Sequence, residues 1–294
     1  MDLDLVRTFI EIIESGSFVK AAERLNVTQS TVSSRVKELE LRLGREVFVR
    51  SKAGVTLTGS GLRFQPHART MLRAWQQARS DVGLPERFRT ILSIGAQYSL
   101  WDRMLLDWLV RAVQERADVA FRGDVETSEE LIRRLYEGTL DIGVMYAPQF
   151  RAGLAMRHLL TDELVLVATA EGDAGPGTPG YVFVDWGPEF RVSHDDAYAN
   201  ASGARNAPAI AFGLGALALR YIRQAGGSGY FPLRTVSALA EQGEFRIVAE
   251  APRFHRPAYA VYRTAEASEM LVSVLDSLTA QATALMTPAP AAVA

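Results

Sequence analysis

SFVKAAERLNVTQSTVSSRVKELELRLGREVFVR, residues Ser17 to Arg50, is the stretch on which the fold turns. Ser17 suits a helix N-cap, because its side-chain oxygen can accept an orphan N–H of the first turn. Phe18, Ala21, Ala22 and Leu25 then recur at helical spacing, and the paired alanines let another helix come close. Asn26 tolerates the left-handed backbone that ends a helix, and Thr28 can cap the next one. A turn of about three to four residues between two helices predicts a helix-turn-helix.

Unrolled at about 100° per residue, the second helix carries Val32, Val36, Leu39 and Leu43 on one stripe, its buried face. Ser30, Ser33, Ser34 and Lys37 fall opposite, with Gln29 and Arg35 on the flanks. Small polar residues near the N-terminus let the backbone sit deep in a major groove. There Gln can pair bidentately with adenine and Ser can meet any base edge. Helix N-terminal amides, Arg35 and Lys37 suit phosphates. A plain solvated helix face is the competing account, and it leaves the agreement of turn, cap, stripe and polar face unexplained. Val47 to Thr56 follows as a short two-stranded wing, with Arg50 and Lys52 near its tip for the backbone or minor groove. The expected DNA contacts are therefore Thr28, Gln29, Ser30, Thr31, Ser33, Ser34, Arg35, Lys37, Arg50 and Lys52.

Phe9, Gly16-Ser17-Phe18, Ala21-Ala22, Leu25, Thr28-Gln29-Ser30, Val32-Ser33, Leu39-Glu40, Leu43-Gly44, Phe48, Arg50 and Leu57-Thr58-Gly59-Ser60-Gly61 together resemble the N-terminal signature of LysR-type transcriptional regulators. The chain departs from that pattern at Ser34, where many members carry a longer polar residue, and at Lys52-Ala53 in place of a more Arg-rich wing. The resemblance implies a winged helix-turn-helix, a linker helix used for dimerisation, and an effector domain with the fold of periplasmic solute-binding proteins.

Charge is distributed as such an arrangement requires. The 294-residue chain has a net charge of −2, but residues 1–83 hold 13 Lys and Arg against 9 Asp and Glu, leaving 19 against 25 for the remainder. A basic head on an acidic body fits a DNA-contacting module joined to one that does not touch DNA. Cysteine is absent, which excludes a disulfide framework and thiol redox sensing. The N-terminus MDLDLVRTF lacks a signal-peptide hydrophobic run, and the longest largely apolar stretch, Pro208 to Leu219, is too short to span a bilayer. We expect a soluble cytoplasmic protein without membrane contact. The Ala- and Pro-rich tail after Ala280 is expected to fray.

From 59 to 82 the pattern stays helical, with Leu62, Ala68, Met71, Leu72, Trp75, Ala78 and Val82 near one face. A lone helix cannot bury that stripe. It can pair with its copy in a second subunit or pack on its own chain. Gly83-Leu84-Pro85 closes it. Beyond Arg89 strands and helices alternate. Strands are expected at Thr90–Gly95, Val119–Val125, Leu140–Tyr146 and Leu164–Ala168, with helices at Leu100–Glu115 and Glu129–Glu137 between them, an order that argues for a parallel α/β sheet. Tyr181–Val184, Ala209–Phe212, Leu214–Gln224, Gly229–Pro232 and Ala258–Arg263 repeat the mixture in a second half. A last helix, about Ala267 to Leu278, is expected to pack back on the first. Gly138-x-Leu140-Asp141-Ile142 and Gly227-x-Gly229-Tyr230-Phe231-Pro232 are similar to landmarks of the family's effector domain. Ser99-Leu100-Trp101 and Asp185-Trp186-Gly187-Pro188-Glu189-Phe190 resemble a subgroup that includes a repressor of the flagellar master operon.

The expected fold class is α/β with an all-α winged helix-turn-helix N-terminal domain and a two-lobed, periplasmic-binding-protein-like α/β effector domain. The domains are 1–58, a linker helix 59–83 and 88–294, with lobe I about 88–164 plus 265–294 and lobe II about 165–264. Two α/β halves leave a cleft into which strand ends and helix N-termini point. Gln97, Tyr98 and Ser99 after the first strand, Thr127 and Ser128 after the second, Tyr146 and Trp186 are the expected effector contacts. Ser99 and Ser128 are equally explained as helix caps. No Arg or Lys stands out at these turns, so a strongly charged ligand is not required.

An enzyme is the first rival. Gly213-Leu214-Gly215-Ala216-Leu217-Ala218 fits G-x-G-x-x-A, but no acidic residue stands near Leu233, where a ribose contact belongs, and we read a strand-to-helix turn. His67, His158, His194 and His255 lack metal-ligand spacing, and no G-x-S-x-G elbow occurs. We expect no catalytic residues, no metal and no cofactor beyond a small-molecule effector. The expected partners are double-stranded promoter DNA, further copies of the chain as a dimer or dimer of dimers (a homotetramer), and RNA polymerase. An architectural DNA binder is the second rival, and it leaves the two-lobed body idle.

Overall fold

The computed structural model describes residues 2–51, 54–83, 85–171, 174–199 and 208–286. The chain divides into two compact units, the first essentially residues 1–91 and the second running on from Leu92.

In the first unit α1 (Leu3–Ser15) begins at Asp2, whose carboxylate accepts from the Asp4 amide, and stops at Gly16 in the left-handed region at φ 67°. α2 (Phe18–Arg24) is capped by Ser17, and Asn26 takes a φ of 53° as its residue type allows. Thr28 then caps α3 (Gln29–Leu43). Val32, Val36 and Leu39 are buried on the expected stripe, and Leu43 is half-buried. Phe9 anchors the core, its ring centroid 5.2 Å from Phe48 and 5.1 Å from Phe64. The wing is an antiparallel pair, β1 (Phe48–Ser51) and β2 (Gly54–Leu57), with Phe48 opposite Leu57. Glu40 ties it to α3 by accepting from the Val47 amide at 2.9 Å. α4 (Gly59–Val82) follows immediately. Its stripe is divided: Ala68 is buried and Phe64, Met71 and Leu72 pack on this unit's own core, whereas Leu62, Trp75 and Val82 stay exposed.

The second unit contains β3 (Thr90–Ala96), α5 (Tyr98–Leu100), a π-turn (Trp101–Leu105), α6 (Leu106–Glu115), β4 (Val119–Val125), α7 (Ser128–Glu137) and β5 (Ile142–Tyr146). β6 (Leu154–Ala168), β7 (Val182–Val184), α8 (Pro188–Ala197), β8 (Ile210–Phe212) and α9 (Gly215–Ala225) come next. β9 (Ser228–Pro232), α10 (Leu233–Glu241), β10 (Arg246–Ile247), β11 (Phe254–Arg263) and α11 (Glu269–Met286) complete it. Seven strands form one sheet in the order β10-β6-β11-β5-β3-β4, with β9 also on β6, and β7 pairs with β8 apart from it.

Several features differ from expectation: α10 is not among the expected elements, and α11 continues to Met286, past Ala280 where fraying is expected. The sheet is mixed: β3 and β5 are parallel, but β11 runs antiparallel to both β5 and β6. β6 starts at Leu154, ten residues before the expected Leu164, because Arg157, His158, Asp162 and Glu163 interrupt its apolar pattern while β11 pairs it from end to end. Ala258–Arg263 does not belong to the second half. β11 starts at Phe254 in the second core and carries Ala258 and Ala260 into the first. β6 and β11 are thus the two crossing strands, and the lobes part along them rather than at residues 165 and 264. The two cores gather around Trp108 and around Tyr230 and Phe231. α11 packs into the first through Leu271, Val274, Leu275 and Leu278, as expected of a returning helix.

Candidate functional site

The outward face of α3 is ordered by its own cap. Thr28 Oγ1 accepts from the Thr31 amide at 3.2 Å and lies 2.8 Å from both Ser30 Oγ and Thr31 Oγ1. A compact group of hydroxyls therefore sits where the helix amides are free, and the positive end of the helix dipole favours a phosphate there. Thr28, Gln29, Ser30, Ser34 and Lys37 are exposed, and Thr31 and Ser33 are half-buried beside them. Arg35 departs from its expected role. Its Nη2 lies 2.6 Å from Asp4 Oδ2 and its Nη1 3.4 Å from Thr8 Oγ1, so the guanidinium holds α3 to α1 instead of facing outward. The Arg50 side chain and Lys52 lie outside the described residues.

In the second unit a cavity of about 490 Å³ opens between the lobes. Of the seven expected effector contacts, Ser99 and Trp186 line it, together with Asp102, Gly215, Leu219, Phe231 and Thr235 among others. A Cβ on Gly215 would lie 2.3 Å from the Trp186 ring, so any side chain there would push that ring aside. The Gly213–Ala218 stretch is therefore a turn shaped by packing. Trp186 is fixed by its Nε1, which donates to Tyr230 O at 2.8 Å.

The other five do not line it. Gln97 turns its Oε1 to the Tyr146 amide at 3.1 Å, and Tyr98 is exposed. Thr127 caps α7 by accepting from the Glu130 amide at 3.3 Å, and Ser128 opens that helix. β4, which precedes them, is the outermost strand, three places from β11, so its loop does not reach the crossing strands. Tyr146 sits behind the cavity: its hydroxyl donates to Asp162 and lies 3.4 Å from Ser99 Oγ. Burial first, then the adjacent Asp162 carboxylate, push its pKa up to about 12.

What sequence reasoning missed is charge. Arg234, at the start of α10, donates from Nε to Asp162 Oδ1 at 2.6 Å and from Nη2 to Oδ2 at 3.0 Å. It also donates to Asp102 O at 2.6 Å and to Ser99 O. The π-turn makes this possible. The Leu106 amide, which an α-helix would direct to Asp102 O, bonds to Trp101 O instead and frees that carbonyl. Burial alone would lower the Arg234 pKa, but Asp162 outweighs it and the net shift is upward. Arg256, on β11, lays its guanidinium 3.7 Å from the Tyr146 ring centroid and 5.3 Å from that of Trp186. The turns read for effector contacts carry no Arg or Lys, but α10 and β11 bring two arginines to the cleft from elsewhere. Both arginines fall between the expected Gly229–Pro232 and Ala258–Arg263, on α10 and on the first part of β11, neither expected from the sequence, and no local motif marks them.

A DNA-reading head with a two-lobed sensing body defines a class of ligand-responsive transcription factor. The bacterial regulatory helix-turn-helix family of lysR type matches residues 3–62, and the LysR substrate binding domain matches residues 85–283. The chain belongs to the LysR family and is a DNA-binding transcriptional regulator with an effector-binding domain. It is 31% identical over 265 residues to the HTH-type transcriptional regulator HdfR of Escherichia coli O139:H28, covering 89% of this chain and 92% of that one. ArgP from Mycobacterium tuberculosis shares the fold at a TM-score of 0.62 and 21% identity, over 96% of this chain and 98% of that one. Full-length LysG from Corynebacterium glutamicum with bound effector Arg does so at 0.59 and 20%, over 97% and 99%. No helix among the described residues is long and apolar enough to cross a membrane.

Proposed function

We propose that this regulator reads a specific promoter sequence through the outward face of α3 and its wing, and that a small molecule held between the lobes of the second unit controls it. The observation that carries this is the interlobe cavity next to Arg234, a second-lobe side chain hydrogen-bonded to first-lobe carbonyls. A ligand seated there touches both lobes and binds two lobe arrangements unequally, the condition for coupling. LysG with bound Arg, a protein of the same fold, makes such occupancy a natural expectation. Ser99 and Trp186 are the proposed contacts, with Tyr146 behind them. Effector binding changes the spacing of the DNA-binding heads and hence the binding or bending of the promoter.

The domains act as 1–58 for DNA, 59–83 for assembly and 88–294 for sensing. The exposed Leu62, Trp75 and Val82 on α4 support self-association, and two recognition helices about a two-fold axis then read half-sites about one helical turn apart. A dimer of dimers, acting in the cytoplasm on promoter DNA and RNA polymerase without catalysis or a further cofactor, is the assembly we propose. The test is genome-wide DNA pull-down with purified protein at rising salt. A few sites sharing an interrupted palindrome support the proposal. Uniform recovery that vanishes with salt replaces it with an architectural binder.

A further inference from the structure

Three charged side chains meet where β6 and β11 pass between the lobes: Asp162, Arg234 and Arg256. The Asp162 and Arg234 side chains are 2% and 9% exposed, and Arg234 occupies both carboxylate oxygens. The Tyr146 hydroxyl donates to the same carboxylate, and Arg256 does not bond to it. Its Nη1 is closed off from solvent and has no hydrogen-bond partner. Glu189, the other carboxylate whose charge bears on it, is exposed on the first turn of α8. Two guanidinium groups against one buried carboxylate leave a positive charge uncompensated. An aromatic face offsets only part of that cost. Buried charges are otherwise paired, and buried donors are otherwise bonded.

The unpartnered guanidinium adjoins the cavity. Trp186 lines the cavity and stands beside Arg256, while Ser99 lines it and approaches the hydroxyl of Tyr146, the ring on which Arg256 lies. Much of the lining is apolar: Ala216, Leu219, Phe231 and Pro232. Of its charged residues, Arg223 is paired with Glu244, whereas Arg220 is exposed and adds to the positive field against Asp102.

We infer that the effector is a small organic carboxylate with an apolar body, its carboxylate completing Arg256 and its body lying against Trp186, Leu219 and Phe231. This rests on the cleft reading of function above and adds the ligand's chemical class. It also assigns Arg256 as the recognition residue. A guanidinium whose planar fork is already held flat by an aromatic ring is oriented to meet a carboxylate.

The experiment uses the full-length protein and matched pairs of acid and amide: acetate and acetamide, butyrate and butyramide, phenylacetate and phenylacetamide, 3-phenylpropionate and its amide. Thermal melting reports binding, because a ligand of the folded state raises Tm with concentration. Acids with the larger bodies should raise Tm and their amides should not. Arg256→Gln should weaken acid binding by about 10- to 100-fold and, without ligand, should melt above the unsubstituted protein because an uncompensated charge is gone. Arg256→Lys, which keeps the charge but not the fork, should bind at intermediate strength and guards against a misfolded Gln variant. No acid-selective shift anywhere in the panel overturns the inference. So does acid binding that both substitutions leave unchanged. Ser99→Trp separates the two levels. Amide binding as strong as acid binding, lost in Ser99→Trp, keeps the cleft and removes the anion. Acid binding lost in Arg256→Gln but intact in Ser99→Trp keeps the anion site and removes the cleft.

Discussion

Along α3 each group that sets the DNA-facing surface is positioned by one a few residues away: Thr28 caps Thr31 at a separation of three and touches Ser30 at two. Around Arg234 the partners come from Asp162, Asp102 and Ser99, at separations of 72, 132 and 135 residues. The first surface is written by helix geometry and survives the loss of any one contact. The second exists only when two crossing strands, a π-turn and α10 have all come together, and it concentrates the consequences on a single buried ion pair.

That contrast predicts unequal damage. Asp162→Ala strands the buried Arg234 guanidinium and should cost about 3–5 kcal/mol in urea denaturation followed on the second unit. Thr28→Ala removes a cap and should cost about 1 kcal/mol in the first. Equal losses would break the comparison, because the cleft would then be held by diffuse packing like any other core. Gly215→Val comes next. The added methyls meet the Trp186 ring, and such overpacking costs about 1–3 kcal/mol. Trp186 should also be displaced into the cavity, so ligand response should be lost while specific DNA binding remains. Unchanged response would show that Trp186 is not part of the ligand wall.

The same contrast explains what the sequence made legible. Asn26 at the turn, Thr28 at the cap and the Val32, Val36, Leu39 stripe could each be read from residue type and spacing, because helix capping and periodicity act over a few residues. Ser99 and Trp186 were legible for the same reason, standing at strand ends. Arg234 and Arg256 were not. An arginine opening α10 or alternating along β11 looks solvated until β6 supplies Asp162 opposite, and the first ten residues of β6, Asp162 among them, were hidden by charged residues that interrupt the apolar pattern. Arg35 shows the reverse. Helical spacing put it on a DNA-facing flank, and Asp4, on another helix, turned it inward.

His194, in the second lobe, offers a finer test of the long-range half. Its Nε2 lies 2.7 Å from the Tyr181 hydroxyl, and the rings of Phe183, Phe190, Tyr198, Tyr230 and Phe254 surround it. Burial pushes its pKa below the ordinary value, and Asp195 offsets this only in part. The unfolded chain therefore takes up the proton more readily. This contribution to stability is complete above about pH 6.5 and falls away as pH drops towards the folded value. Tm should decline between pH 7.5 and 5.5 by more in the unsubstituted protein than in His194→Gln. Parallel declines would mean that the aromatic surroundings open to water before the imidazole titrates.

The smallest effect sharpens the comparison most, because it sets Arg35 and Lys37, two residues apart on α3, against each other. Lys37 is exposed, with nothing to release before it meets a phosphate. Arg35 would first have to leave Asp4 at 2.6 Å. Each phosphate contact contributes about 0.9 to the slope of log affinity against log salt. Lys37→Ala should flatten that slope by about one unit. Arg35→Ala should leave it unchanged and cost at most about 1 kcal/mol of stability, as half-exposed ion pairs do. A slope flattened by Arg35→Ala would mean that DNA outcompetes Asp4 for the guanidinium. The ion pair would then be the resting state of a phosphate contact, and the local reading of α3 would hold at the one position where the fold has set it aside.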